Sequence, residues 1–220
     1  MIWAAFKLSI LVVTVATLLI AVVGTACGYV LAKRQFRGKE LLDSLLTLPM
    51  VLPPTVTGYY LILLLGRRGL VGRYLYDLTG WTVTFTWEGA ALAAFVVAMP
   101  LMVKSARAAI ESVDPRYEIV SFTFGKGRLE TFFRVTLPLA SRGLLAGLVL
   151  SFARALGEFG ATLMVAGNIP GRTQTMPLAI YEAVISGADR QAMTLALILT
   201  ATSVAVIYLT NILTRAGKTA

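Results

Sequence analysis

The sequence has no histidine and one cysteine, and only 14% of its 220 residues are charged. Without histidine there is no histidine metal site, no histidine proton relay and no Ser-His-Asp catalysis. Cys27 has no partner for an intrachain disulfide and reads as a small buried apolar residue. The sequence also lacks a Walker-type phosphate loop, a Gly-x-Ser-x-Gly elbow and paired carboxylates in a common pocket pattern. No catalytic residue and no metal ligand can be named, so any energy source must come from a partner or an ion gradient. Acidic residues are scarce as well, 11 against 20 Lys and Arg, for a net charge of +9. The cations lie between apolar blocks rather than in a patch interleaved with aromatics, so nucleic-acid binding is set aside.

What the chain has is apolar sequence. Hydrophobic residues make up 57% of it, whereas a soluble domain carries about 25% charged residues and needs them to cover its surface. The apolar residues fall in blocks, and crossing a hydrocarbon core takes about 20 helical residues. Five spans are predicted: roughly Leu8 to Ala32, Leu41 to Leu65, Gly89 to Val103 with a helical extension through Ile110, Leu139 to Ala166, and Met193 to Leu213. The fold class is therefore all-α, a polytopic membrane helix bundle. The first block lacks a small-residue cleavage site followed by a polar start and is expected to stay as the first helix. No internal repeat or linker marks a second domain, so residues 1–220 read as one transmembrane unit.

Loop charge sets the expected orientation. The loops after the first and third spans hold Lys33, Arg34, Arg37, Lys39, Lys104, Arg107, Arg116, Lys126, Arg128, Arg134 and Arg142, and the tail adds Arg215 and Lys218. The opposite side holds Lys7, Arg67, Arg68, Arg73, Arg172 and Arg190. The richer side is expected to be cytoplasmic, with the N-terminus outside and the C-terminus inside.

Within the long interior loop, Asp114 is an N-cap, Pro115 a first helical residue and Gly125 a stop signal. They predict a short cytoplasmic helix at about 114–125 that exposes Tyr117, Ile119, Val120, Phe122 and Phe124. Two readings stand side by side: a partner docks on these side chains, or they pack back on the chain's own helix ends. On the outer side, residues 66–88 carry turn signals and mixed polarity. Asn168-Ile169-Pro170-Gly171 reads as a turn, and Met176 to Ile185 as a short apolar helix, half-inserted at the outer face.

Inside the spans, Pro53-Pro54 must interrupt helical hydrogen bonding. Such a break is tolerated at membrane depth only where it is packed in protein or lines a cavity. Gly24 with Gly28, and Gly143 with Gly147, have the spacing of close helix contacts and read as packing within the bundle. Arg154 and Glu158 are four apart, share a helix face and fall toward the outer half of the fourth span. Either they form a local salt bridge, or Arg154 adds positive potential to an anion path.

The run Glu118-Ile119-Val120-Ser121-Phe122-Thr123-Phe124-Gly125, continued by Val135, Thr136, Leu137 and Pro138, resembles the coupling loop of permeases in binding-protein-dependent ABC importers. That signature is Glu-Ala-Ala, three residues, Gly, nine residues, Ile-x-Leu-Pro. Here Ile119, Val120 and Ser121 occupy the Glu-Ala-Ala positions, and Glu118 stands one earlier. Arg154-Ala-Leu-Gly-Glu158-Phe-Gly160-Ala161 is similar to a segment of the sulfate, molybdate and tungstate permeases. Asn168 to Gly171 with Thr173, Thr175, Pro177, Ala179 and Tyr181, and Leu48 to Pro54 with Gly66 to Gly69, are most similar to the molybdate branch.

The resemblance implies a MetI-like permease fold in a prokaryotic inner membrane and a homodimer around a central path. It implies two cytoplasmic ATP-binding subunits and an external molybdate-binding protein. It also implies molybdate, with tungstate, as cargo. ATP and Mg would belong to the partner ATPase, leaving this chain without catalysis or cofactor. Coupling would fall to Glu118 through Phe122, Phe124, Gly125, Leu137 and Pro138. Pro53, Pro54, Arg154 and Glu158 would sit on the path or its outer gate. A sulfate or thiosulfate permease is the alternative within the class. A gradient-driven carrier is the alternative outside it, and would require a mid-membrane ion site.

Overall fold

A computed structural model describes residues 2–216, with side chains described through residue 208. Lys218 and the side chain of Arg215, counted above for orientation, lie outside the described residues. The elements are all helical: α1 (Ile2–Lys33), α2 (Lys39–Val51), α3 (Pro54–Leu65), α4 (Gly72–Thr79), α5 (Trp87–Glu111), α6 (Pro115–Thr123), α7 (Arg128–Leu156), α8 (Gly160–Ala166), α9 (Met176–Ile185) and α10 (Asp189–Ala216). Helices α1, α5, α7 and α10 are each long and apolar enough to cross a membrane. The α2–α3 pair makes a fifth crossing if its two halves count as one span.

The organising element is α5. Thr86 caps its start, its hydroxyl accepting the Gly89 N–H at 3.1 Å. Its small residues Ala90, Ala91, Ala94, Ala98 and Ala106 are fully or almost fully buried. Both glycine pairs close onto it. A Cβ on Gly24 or Gly28 would fall 2.7 Å from Met102 or 2.6 Å from Ala106. On the other side, a Cβ on Gly143 or Gly147 would fall 2.5 Å from Ala109 or 2.4 Å from Ser105. So α5 is clamped between α1 and α7, and both glycine pairs serve packing inside the bundle. Lipid tails offer no hydrophobic drive between helices, so close van der Waals approach carries this association.

Two features depart from uninterrupted spans. Helices α1 and α7 contain π-helical turns, Ile20–Gly24 and Phe132–Thr136, which have no plain local signal. The predicted fourth span, Leu139 to Ala166, is cut at residues 157–159. There Gly157 ends α7, and the Glu158 carboxylate takes up the Ala161 N–H at 2.9 Å to start α8. The second span breaks where Pro53-Pro54 predicts. Leu52 ends α2, Pro54 opens α3, and the axes turn by 119°. The polar-looking stretch 66–88 holds the helix α4, which turn signals alone do not reveal. Helix α9 has the predicted bounds. It is pinned to α1 by the Met176 N–H, which donates to Ser9 Oγ at 2.7 Å in the buried interior.

Candidate functional site: a coupling face and a broken-helix crossing

Helix α6 forms where the short cytoplasmic helix is predicted. Asp114 Oδ1 accepts the Arg116 N–H at 2.9 Å, and Pro115 occupies the first turn, where its missing N–H costs nothing. Gly125 ends the helix with φ +75°, a left-handed conformation that glycine adopts without a Cβ penalty. The helix has two distinct sides. Ile119, Val120, Phe122 and Phe124 are exposed, Phe124 by 77%, and no residue of α6 is buried. These side chains do not pack back on the chain's own helix ends. Leu129 and Phe133 continue the exposed apolar surface.

The other side of α6 ties it to the bundle. Glu118 Oε2 pairs with Lys33 Nζ at 2.9 Å, and Glu118 Oε1 accepts the Thr136 hydroxyl at 2.6 Å. Ser121 and Thr131 hydroxyls meet at 2.8 Å. The carboxylate of Glu118 is therefore turned into the protein, linking the end of α1 to the π turn of α7. Ring stacking adds to the link: Tyr29 meets Phe132 edge-on at 4.8 Å. Nearby, Asp43 accepts from Lys104 Nζ at 2.7 Å and from Arg107 Nη1 at 3.0 Å, which fixes the start of α2 to the end of α5. Lys33, Thr136 and Asp43 escape a sequence reading, because partners 18 to 85 residues apart leave no local pattern. Leu137 is half-buried and Pro138 exposed at the first regular turn after the π segment. A Gly125→Val substitution should strain this helix end, since valine disfavours φ above zero. The ATP-driven uptake that the resemblance implies should fall at least tenfold with membrane insertion unchanged, measured by uptake and membrane fractionation; wild-type uptake would remove the glycine's role.

The second locus is where the two interrupted spans cross. A Cβ on Gly160 would approach Pro54 and Thr55 at 3.2 Å, and one on Gly58 would come within 2.9 Å of the Ala161 Cα. The break of α2–α3 thus rests on the break of α7–α8, and Pro53, Pro54, Arg154 and Glu158 are brought together. Arg154 Nη1 lies 2.8 Å from Glu158 Oε2, in an ion pair whose carboxylate is sealed and whose guanidinium side chain is 35% exposed. Arg154 also lines a cavity of about 180 Å3 with Pro49, Met50, Leu52, Pro54, Val97 and Leu101. Val97 and Leu101 flank the midpoint of α5, so Arg154 stands level with the middle of that helix rather than near its outer end. The helical register placed it outward because the break at 157–159, which shortens α7, was not visible.

Known proteins resemble the chain over most of its length. The pattern of binding-protein-dependent transport system inner membrane components matches residues 24–216. The Molybdenum transport system permease protein ModB of Escherichia coli K12 is 49% identical over 179 residues, 81% of this chain and 78% of that one. ModB of Haemophilus influenzae is 46% identical over 171 residues, 77% and 75% of the two chains. The Sulfate transport system permease protein CysT of Salmonella typhimurium is 38% identical over 180 residues, 81% of this chain and 64% of that one. Among solved structures, a chain of the bacterial alginate ABC transporter bound to its pentasaccharide-loaded periplasmic protein superposes with TM-score 0.80 at 15% identity, covering 98% of this chain and 79% of that one. An inward-facing MetNI methionine ABC transporter chain superposes with TM-score 0.70 at 13% identity, covering 98% and 93%. The chain belongs to the family of inner membrane components of binding-protein-dependent transport systems.

Proposed function

We propose that this chain is the permease subunit of an ATP-driven importer of molybdate, with tungstate as a second cargo. The observation that carries the substrate is the 49% identity over 81% of the chain to a molybdenum transport permease, against 38% to a sulfate one. The family sets aside the gradient-driven carrier, and the exposed α6 supports an external energy source. Two cytoplasmic ATP-binding subunits dock on α6, one on each copy of a homodimer. An external binding protein delivers the oxyanion. ATP binding closes the ATPases and moves α6. Through Lys33–Glu118–Thr136 that motion reaches α1 and α7 together, and α7 leads to the broken-helix crossing. ATP and Mg stay with the partner; this chain positions and transmits.

The reading is tested by competition. Cells making the chain with its ATPase and binding protein should take up molybdate. A hundredfold excess of tungstate should suppress that uptake about tenfold or more, as same-site competition requires, and the same excess of sulfate should suppress it far less. Equal suppression by sulfate would favour the sulfate reading. The cytoplasmic side is the side of α6 and its basic neighbours, which puts the N-terminus outside and the C-terminus inside. Reporter fusions at Met1 and Ala220 check this, and a C-terminal fusion active only outside would contradict it.

A further inference from the structure

We propose that Glu158 is an internal substitute for the transported anion, and that Arg154 exchanges between this carboxylate and the passing oxyanion. The inference rests on the importer reading above and adds how the path releases its cargo. Three observations carry it. First, the pair is asymmetric: the Glu158 side chain is 1% exposed and the Arg154 side chain 35%. A pair that only neutralised two charges would gain nothing from leaving the cation open to a cavity. Second, Glu158 is immobilised. Its Oε1 accepts the Ala161 N–H at 2.9 Å while Oε2 lies 2.8 Å from Arg154 Nη1. The carboxylate belongs to the backbone at the start of α8, and the long, flexible arginine is the partner that moves. Third, apart from Arg154 the side chains lining the cavity are apolar: Pro49, Met50, Leu52, Pro54, Val97 and Leu101. Arg154 is therefore the one charge that an anion meets there.

The chemistry follows from these positions. A guanidinium carries five N–H donors in a fork that suits oxyanions, and the contact to Glu158 runs through Nη1. Liquid water occupies about 30 Å3 per molecule, so the cavity of about 180 Å3 takes a tetrahedral oxyanion with part of its hydration shell. A lone arginine between apolar walls would attract a dianion strongly and release it slowly. Glu158 prevents that by competing for the same donors. When the oxyanion leaves, Arg154 returns to the carboxylate and neither buried charge is left uncompensated. The pair therefore weakens retention and lowers the barrier to exit. The break at Pro53-Pro54 keeps the main chain from filling the space in front of the guanidinium.

The test uses the complete complex of this chain with its ATPase and binding protein in proteoliposomes, with radiolabelled molybdate as the probe. Glu158→Gln keeps an oxygen for the Ala161 N–H and keeps Arg154, but removes the competing charge. Molybdate held by the nucleotide-free complex should tighten about tenfold, and steady uptake should fall about tenfold, as loss of one charge-assisted contact to the competitor implies. Arg154→Gln should abolish uptake. The neutral double variant Arg154→Gln with Glu158→Gln should assemble normally and still transport at least tenfold more slowly than wild type. A structural pair predicts the reverse, full uptake by the double variant, and that result overturns the proposal. Unchanged or weakened molybdate retention by Glu158→Gln overturns it independently, whether or not the double variant assembles. Absence of ATP-driven molybdate uptake by the wild-type complex would instead remove the importer reading, and the exchange with it.

Discussion

Replacing Phe122 with aspartate should abolish ATP-driven uptake while leaving the chain in the membrane. Phe122 lies on the exposed side of α6, beside Ile119 and Val120 and one residue before the end of the helix at Thr123. Neither Lys33 nor Thr136 bonds to it; both bind the Glu118 carboxylate. The substitution therefore leaves both of those bonds in place. It places a carboxylate where an ATPase cleft would have to bury it. An aromatic anchor at the centre of an interface is worth about 2 kcal/mol or more, and an unpaired buried charge costs several more. Together they predict at least a hundredfold weaker association, which is about 2.8 kcal/mol at tenfold per 1.4 kcal/mol. Co-purification with the ATPase and uptake measure it. Intact co-purification with full uptake would show that α6 is not the docking surface.

The second large effect is expected at Gly147. Its Cβ position lies 2.4 Å from Ser105 Cβ and 3.2 Å from the Met102 sulfur, so α7 and α5 touch main chain to side chain there. Gly147→Leu must push the two helices apart along their longest shared contact. Overpacking a close contact costs about 1–3 kcal/mol, and Ala140, Leu144 and Ser151, buried on the same face of α7, would lose their fit as well. The amount of folded chain recovered from membranes should fall several-fold, with the melting temperature in detergent clearly lowered. A substitution at Leu150, which is exposed on α7, provides the contrast: Leu150→Ala should leave both nearly unaltered. Equal behaviour of the two variants would mean that the α5–α7 clamp does not set stability.

These two sites also show what can be read from sequence and what cannot. Crossing helices announce themselves, because a bilayer demands long apolar runs. Helix α6 is legible for a different reason: Asp114, Pro115 and Gly125 are local signals, each acting within a turn of its own position. The break at Pro53-Pro54 is equally local, since the missing N–H is written in the residue. The matching break at 157–159 is not. It depends on Glu158 finding the Ala161 N–H and Arg154 at once, and a glycine and a glutamate in an apolar run do not enforce it. Helix α4 was hidden because glycines at both its ends and mixed polarity read as turns. The role of Glu118 illustrates the remaining limit. Resemblance draws attention to it as part of a partner contact. Only the fold brings Lys33, 85 residues away, to its carboxylate and turns it inward. The glycine pairs were legible as close-packing devices, but not that both press on α5.

As the proposed permease, this chain gates an oxyanion path whose energy arrives from outside through α6. Proteoliposomes containing the chain with its ATPase, and the loaded binding protein on the opposite face, test it most directly. ATP on the ATPase side should drive molybdate accumulation against its gradient. Removing ATP or the ATPase should reduce it to the level of empty vesicles, and an imposed proton or sodium gradient should not restore it. Accumulation driven by such a gradient without ATP would contradict the account.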